Sequence, residues 1–264
     1  MEPPNIIEPE SVALTLHEAE QQRTPIAPLS ETYPSLTVEQ AYAIQSAWLE
    51  IKRKQQLAKL IGHKIGLTST AMQQLLGIDQ PDYGFLLETM LVPSKSTLAR
   101  SDFLAPRIEP EICFWLAKDL RGPGVTVQDV LAATRGVCAA LELVDSRIEA
   151  WRIKLVDTIA DNASSARVII NQRIVAPDEI DLTRESVTLF RNNEVVGTGT
   201  GIAVLGHPAA AVAWLANKLS EFGVALRAGQ LVLPGAMCAA ANVGADETHR
   251  AVFTHLGDIS IRFT

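Results

Sequence analysis

The run Val137-Cys138-Ala139-Ala140-Leu141-Glu142-Leu143-Val144 is apolar at every position but one. A short apolar run of this kind reads as a buried strand, and its single exception is a carboxylate. A lone carboxylate in a buried strand is costly unless it is paired or ligates a metal ion. Whatever fold this chain adopts must therefore bring a partner to Glu142.

A second strand-like stretch, Arg107-Ile108-Glu109-Pro110-Glu111-Ile112-Cys113-Phe114-Trp115, supplies candidates. Ile108, Pro110, Ile112 and Phe114 share one face, and Arg107, Glu109, Glu111 and Cys113 share the other. At ~3.3 Å per strand residue the two carboxylates stand about 6.5 to 7 Å apart at Cα. Like charges that close repel unless a cation or a proton lies between them. Taken alone, Glu-x-Glu on a strand is more often a solvated face than a site. Glu142, which is not easily solvated within its run, and Arg107, a cation on the carboxylate face, weigh the other way. Glu109, Glu111 and Glu142 are therefore read as an all-oxygen site for a hard divalent cation, Mg2+ or Mn2+.

The 264 residues suffice for one large domain or a domain with a smaller helical cap. Hydrophobic residues make up 47%, which excludes global disorder. Lys and Arg number 23 against 30 Asp and Glu, a formal net charge of −7, with no basic run and only 5% aromatics. These values argue against a nucleic-acid partner. An acidic protein that handles an anionic substrate must build its positive charge locally, which a metal with Lys64 and Arg107 would do. Cys113, Cys138 and Cys238 show no C-x-x-C spacing, which suggests a reducing compartment. They read as small buried hydrophobes, with Cys113 a lesser candidate ligand because it shares the parity of the two glutamates. No apolar segment follows Met1 and no run of 18 apolar residues occurs. The expected location is the cytoplasm, without a membrane partner.

Residues 1–60 predict a small N-terminal helical region, and residues 61–264 the catalytic β domain. Residues 1–9 are Pro-rich, residues 11–23 read as an amphipathic helix, and Pro25, Pro28 and Pro34 mark an extended connection. Thr37-Val38-Glu39-Gln40 is a capping box opening a helix that runs to about Leu60, whose Lys52-Arg53-Lys54 reads as a solvated face. Gly62 to Leu67 predicts the first strand of the β domain. Lys64 is flanked on its own face by Gly62 and Gly66, so another group can approach it closely; on spacing alone it is equally an exposed lysine on an edge strand. His63, on the apolar side, reads as a core histidine. Residues 69–76 read as a short helix and Pro81-Asp82-Tyr83-Gly84 as a turn.

A strand over 85–92 is followed by the Glu109 strand, a helix from Thr126-Val127-Gln128-Asp129 to Gly136, and the Glu142 strand. This strand–helix–strand unit returns the third carboxylate beside the first two. Residues 146–165 are polar and irregular, the kind of loop that carries function. Asn162 and Ser164 there could donate hydrogen bonds to a substrate carboxylate, although both are common in turns. Residues 186–205 read as a hairpin turning at Asn192-Asn193. Its glycines at 197, 199 and 201 suggest close approach of a backbone or ligand rather than a phosphate loop. His207-Pro208 opens an Ala-rich helix with Gly223 past its end, and strands over 230–233, 250–255 and 258–263 close the chain.

Glu109-Pro110-Glu111 with the later Glu142 resembles the metal triad of the fumarylacetoacetate hydrolase superfamily. Gly62-His63-Lys64-Ile65-Gly66-Leu67-Thr68-Ser69, Pro81-Asp82-Tyr83-Gly84, Val144-Asp145-Ser146-Arg147, Ala160-Asp161-Asn162-Ala163-Ser164-Ser165 and Val204-Leu205-Gly206-His207-Pro208 are similar, in this order, to its 2-hydroxypenta-2,4-dienoate hydratase branch. The likeness runs from about residue 37 to the end, and the 4-oxalocrotonate decarboxylases share nearly all of it. The resemblance implies an α+β fold, a mixed and highly curved β-roll or sandwich with a small N-terminal helical region. It implies a lyase hydrating 2-hydroxypenta-2,4-dienoate to 4-hydroxy-2-oxopentanoate in aromatic catabolism, with decarboxylation of 4-oxalocrotonate as the alternative. It implies Glu109, Glu111 and Glu142 as ligands of Mg2+ or Mn2+, Lys64 and Asp82 as catalytic groups, and Leu67, Arg107, Asn162 and Ser164 as substrate-binding residues. A homo-oligomer is implied as well, and association with a pathway enzyme stays open.

A decarboxylase would need an extra cation for the second substrate carboxylate, with Arg147, Arg152 and Lys154 as candidates. Acylpyruvate-type hydrolysis generally needs a water held by a His–carboxylate pair, and the five histidines show no spacing that demands one. A non-catalytic subunit would have lost ligands, whereas this chain keeps all three carboxylates and Lys64.

Overall fold

In the computed structural model, which describes residues 7–69, 73, 78 and 80–264, the chain opens with α1 (Pro9–Gln22), α2 (Leu29–Thr32) and α3 (Val38–Gln56). Pro9 begins α1, where its missing N–H would have no partner in any case. α3 starts as its capping box predicts: Thr37 Oγ1 accepts from Gln40 N, and Gln40 Oε1 accepts from Thr37 N. It ends at Gln56, short of Leu60, which already belongs to the first strand. Lys52 corrects the reading of residues 52–54 as a solvated face. It is buried, ion-paired with Glu20 of α1 and placed 4.9 Å over the Trp48 ring, because the helix turns this position towards α1.

The strands follow in chain order as β1 (Leu60–Gly66), β2 (Asp82–Leu87), β3 (Leu91–Pro93), β4 (Thr97–Leu98), β5 (Arg107–Leu116), β6 (Thr134–Val144), β7 (Ser165–Ile170), β8 (Ser186–Arg191), β9 (Glu194–Thr200), β10 (Leu231–Leu233), β11 (Ala241–Asn242), β12 (Thr248–Phe253) and β13 (Gly257–Phe263). Between them lie α4 (Val127–Ala133), α5 (Leu155–Ala160) and α6 (Pro208–Ser220). One sheet runs β2-β1-β10-β5-β6-β7-β3, with β11 also on β5; the other runs β4-β13-β12-β8-β9. β1 pairs in parallel with β10 and antiparallel with β2, so Lys64 stands inside the sheet and not on an edge. β13 packs against β6 and β7, which joins the sheets around a shared apolar core. Leu16, Ile44 and Trp48 of α1 and α3 are buried in that same core. The architecture is the expected α+β arrangement of mixed sheets with helices at the N-terminus.

Tertiary pairing overrides local propensity in two places. Asp82, Tyr83 and Gly84 form the start of β2 instead of a turn, because each pairs with a residue of β1. α4 stops at Ala133 and not at Gly136, since Thr134 already enters the β5–β6 ladder. Residues 146–165 are less irregular than expected, as they hold α5. The helix predicted over 69–76 lies largely outside the described residues, as does most of the Pro-rich stretch 1–9.

The β8–β9 hairpin turns at Asn192, whose φ is 56°. The glycines of β9 do lie under another backbone: a Cβ at Gly199 would come within 1.9 Å of Met237 O. Pro208 and the side chain of His207, whose Nδ1 accepts from Ala209 N at 3.0 Å, open α6. By length and composition the helical stretch Gly201–Ser220 would suffice to cross a membrane. Its Val212, Leu215 and Leu219 are instead buried in the common core.

Candidate active site

The β5–β6 register places Glu109 opposite Glu142 and Glu111 opposite Ala140. Strand alternation sends both β5 glutamates to one face, and the ladder delivers Glu142 to the same place. One oxygen from each of the three lies within 4.8 Å of the other two. Glu111 and Glu142 are wholly buried and Glu109 is partly so. At an effective dielectric of ~20, each pair of charges at such a distance repels by on the order of 3 kcal/mol. Desolvation and the Glu142 charge outweigh Lys64 at Glu109, whose carboxyl is pushed up to about 7. The same burial and the Glu142 charge hold Glu111 well above the usual carboxylate range. Glu111 Oε2 accepts from Gly235 N at 2.8 Å, while Glu111 Oε1 and both Glu142 oxygens have no hydrogen-bond partner.

Lys64 is the neutralising cation. Its Nζ stands 3.2 Å from Glu142 Oε2, an ion pair without hydrogen-bond geometry, and donates to Ala163 O at 2.9 Å. Burial opposes its charge, but Glu142, Glu109, Asp82 and Glu111 together raise its pKa, so it is an ammonium ion at neutral pH. The expectation that glycine leaves room beside Lys64 holds at Gly66, where a Cβ would come within 2.2 Å of Asp82 Oδ1. At Gly62 the room is filled by the Leu231 backbone.

Asp82 faces Gly66 across the β1–β2 ladder and is buried. Its Oδ2 accepts from Thr158 Oγ1 at 2.9 Å, and Oδ1 has no partner. Burial raises its pKa against the opposing pull of Lys64 and Thr158.

The polar segment after α5 is bound tightly to the sheet. Asn162, Ala163 and Ser164 carry φ values of 55°, 47° and 56°, left-handed conformations that cost about 1–3 kcal/mol each in residues other than glycine. Asp161 holds this turn: its Oδ1 accepts from Arg147 Nε at 2.6 Å, and its Oδ2 accepts from Ser146 and Ser164 hydroxyls. Asn162 Oδ1 accepts from Phe85 N at 2.7 Å, and its Nδ2 donates to Phe85 O at 3.1 Å. The Ser164 hydroxyl is thus engaged on Asp161, and the Asn162 side chain on the Phe85 backbone. What the turn presents to the site is the Ala163 carbonyl, which accepts from Lys64.

Arg107 lies on β5 two positions before Glu109, half-buried, with its guanidinium 4.1 Å over the Trp151 ring. It forms no ion pair among the described residues. Leu67 follows β1 in a left-handed conformation, φ 58°, and its carbonyl accepts from Gln73 Nε2. Cys113 sits opposite Cys138, and hydrogen bonding to that thiol together with burial pushes its own thiol well up. His63 is the core histidine expected, buried and held down to about pKa 4 by desolvation.

Three buried oxygens without hydrogen bonds, within a carboxylate cluster, fit a hard divalent cation, which would relieve their repulsion and ligate oxygen alone. Lys64 and Asp82 flank the cluster from β1 and β2. Sequence reasoning did not find Thr158, the Gly235 N–H or the Arg147–Asp161 pair as parts of this site. The polar pattern of residues 146–165 pointed near two of them, and Arg147 and Asp161 also stand in segments that carry the family resemblance.

Residues 64–263 match the family described as fumarylacetoacetate (FAA) hydrolase C-terminal. The chain is 44% identical to a 2-oxo-hept-4-ene-1,7-dioate hydratase of Escherichia coli over 258 residues, 96% of each chain. It is 44% identical to a 2-keto-4-pentenoate hydratase of Paraburkholderia xenovorans over 229 residues, 86% of this chain and 84% of that one. The solved structure of a 4-oxalocrotonate decarboxylase from Pseudomonas putida G7, complexed with magnesium and adipate, superposes with a TM-score of 0.93 at 35% identity, covering 97% of each chain.

Proposed function

The chain belongs to the fumarylacetoacetate hydrolase family, and from that premise we propose that it is a divalent-metal-dependent hydratase acting in aromatic catabolism. Its reaction adds water to 2-hydroxypenta-2,4-dienoate to give 4-hydroxy-2-oxopentanoate. The observation that carries this reading is the convergence of Glu109, Glu111 and Glu142 beside Lys64 in a chain 44% identical to a 2-keto-4-pentenoate hydratase. Glu109, Glu111 and Glu142 hold Mg2+ or Mn2+, which when bound supplies Lewis acidity and a template for the 2-oxo acid end of the substrate. Residues 61–264 carry the chemistry and residues 1–60 the helical cover.

The chain's own groups account for the proton movements. Moving the 2-hydroxyl proton to C5 converts the dienol into a 2-oxo-3-enoate, and water then adds its oxygen to C4 and a proton to C3. Negative charge gathers on the 2-oxygen in both stages. The Lys64 ammonium, held by Glu142 and the Ala163 carbonyl, stabilises it from a fixed position without reorganising. Asp82 is the proton carrier, a general acid–base role worth roughly 10² to 10⁴-fold. Its open Oδ1 accepts and returns the proton while Oδ2 stays tied to Thr158. Arg107 and Leu67 line the substrate, and Asn162 and Ser164 shape its pocket through the backbone they hold.

A second reading, decarboxylation of 4-oxalocrotonate at the same site, is favoured by the fold match to that decarboxylase. It needs a cation for a second carboxylate. Arg147 is spent on Asp161, Arg152 is exposed and paired with Glu31 and Glu149, and Lys154 is exposed. That leaves Arg107 as the half-buried cation beside the cluster. Ultraviolet loss of the dienoate with Mg2+, abolished by EDTA, is the expected result. Carbon dioxide release from 4-oxalocrotonate without dienoate hydration would reverse the choice. We further propose, as the resemblance implies, that it is a homo-oligomer, and that it works in the cytoplasm, a reducing compartment in keeping with its three free cysteines.

A further inference from the structure

Asp82 is gripped on one oxygen and open on the other. Thr158 Oγ1 donates to Oδ2 at 2.9 Å, and Oδ1 is buried without a partner. The open oxygen lies on the Gly66 side, where a Cβ would stand 2.2 Å from it and 3.6 Å from Lys64 Nζ. Asp82 Oδ1 and the Lys64 ammonium therefore border the same small space, which exists because residue 66 has no side chain.

Thr158 is buried within α5. A helical threonine ordinarily turns its hydroxyl back to a carbonyl three or four residues earlier. Here the hydroxyl turns outward to Asp82, 76 residues away in sequence. The bond satisfies a buried carboxylate oxygen and is not part of the helix's own hydrogen bonding. What the bond does is select one rotamer of Asp82. A hydrogen bond donated to a carboxylate also favours its charged form, which keeps the open oxygen ready to take a proton.

We propose that Thr158 is a positioning residue for the hydration, fixing the Asp82 carboxyl so that Oδ1 faces the reacting atoms. It is the counterpart of the Ala163 carbonyl, which fixes Lys64 from the same segment of chain. The proposal rests on the hydratase reading above and adds to it a residue that touches no substrate.

The test compares Thr158→Val, which keeps the shape and removes the hydroxyl, with Thr158→Ser, which keeps the hydroxyl. Thr134→Val serves as control: Thr134 is also buried, and its hydroxyl bonds Val130 O at 2.7 Å, away from the site. Steady-state kinetics with Mg2+ and magnesium binding are measured on all four proteins. Thr158→Val is expected to lose about tenfold or more in kcat, with KM and magnesium affinity changed less than about threefold. Thr158→Ser is expected to regain most of the loss, and Thr134→Val to keep the wild-type kcat. If Thr158→Val does not fold, Thr158→Ala carries the same expectation. A wild-type kcat in Thr158→Val, or a Thr158→Ser enzyme as slow as Thr158→Val, would overturn the proposal. A wild-type protein that hydrates nothing with Mg2+ strikes instead at the hydratase reading, so the two failures are told apart.

Discussion

Glu109 and Glu142 face each other directly across the β5–β6 ladder. Like charges at opposed positions in a sheet destabilise it, and Glu111 stands two residues along the same face. Nothing in the packing of the strands calls for this arrangement. Stability is lost in the metal-free protein so that a cation can be held by groups the fold has already placed.

Replacing Glu142 by Gln tests the cluster directly. The variant keeps the volume, removes one metal ligand and leaves the buried Lys64 ammonium without its ion pair. Magnesium-dependent turnover is expected to vanish, while calorimetry without metal shows a Tm below wild type, because one partner of a buried pair is lost. Retained magnesium-dependent turnover would count against the cluster as a metal site.

Cation binding should depend on pH in a defined direction. The Glu109 carboxyl, pushed up to about 7, holds a proton below that pH in the absence of metal. A cation must displace it, and any proton on Glu111, so affinity rises with pH and binding releases protons. Calorimetric titration of Mg2+ in two buffers of different ionisation enthalpy, at pH 6 and pH 8, reads this as a buffer-dependent heat that is larger at the lower pH.

Gly66→Ala probes the space between Asp82 and Lys64. A Cβ there would meet Asp82 Oδ1 at 2.2 Å. Because the obstacle is the end of a side chain, Asp82 rotates away and breaks its bond to Thr158 while the strand survives. Expected is a fall in kcat of roughly 10²-fold, the lower end of a general acid–base contribution, with unchanged circular dichroism. Full activity would show that Asp82 needs no fixed direction.

His63 sets an acid limit on stability. Burial lowers its pKa to about 4, against 6.5 for an ordinary histidine. The unfolded chain gains a proton below about pH 6.5 that the folded chain refuses until pH 4. Stability therefore falls as pH drops through that window, by up to about 3 kcal/mol, and the loss is complete near pH 4. Urea unfolding of wild type and His63→Gln at pH 7.5 and pH 5 should show a smaller pH loss in the variant.

What could be read from the linear chain was whatever one strand or one turn decides locally. The parity of Glu109 and Glu111, the solvation cost of Glu142, the capping box at Thr37 and the hairpin at Asn192 depend on neighbours a few residues away, and each has its expected place in the fold. Tertiary structure decided the rest, because partners distant in sequence compete with local preference and win. Asp82 left its turn for a ladder with β1. Lys52 went inward to Glu20. Asn162 spent its amide on Phe85, Thr158 reached Asp82 and Lys64 reached Ala163, across 77, 76 and 99 residues. Residue type and spacing identify which groups can bind a cation or move a proton. Their orientation is set by side-chain bonds that exist only once the chain has closed on itself.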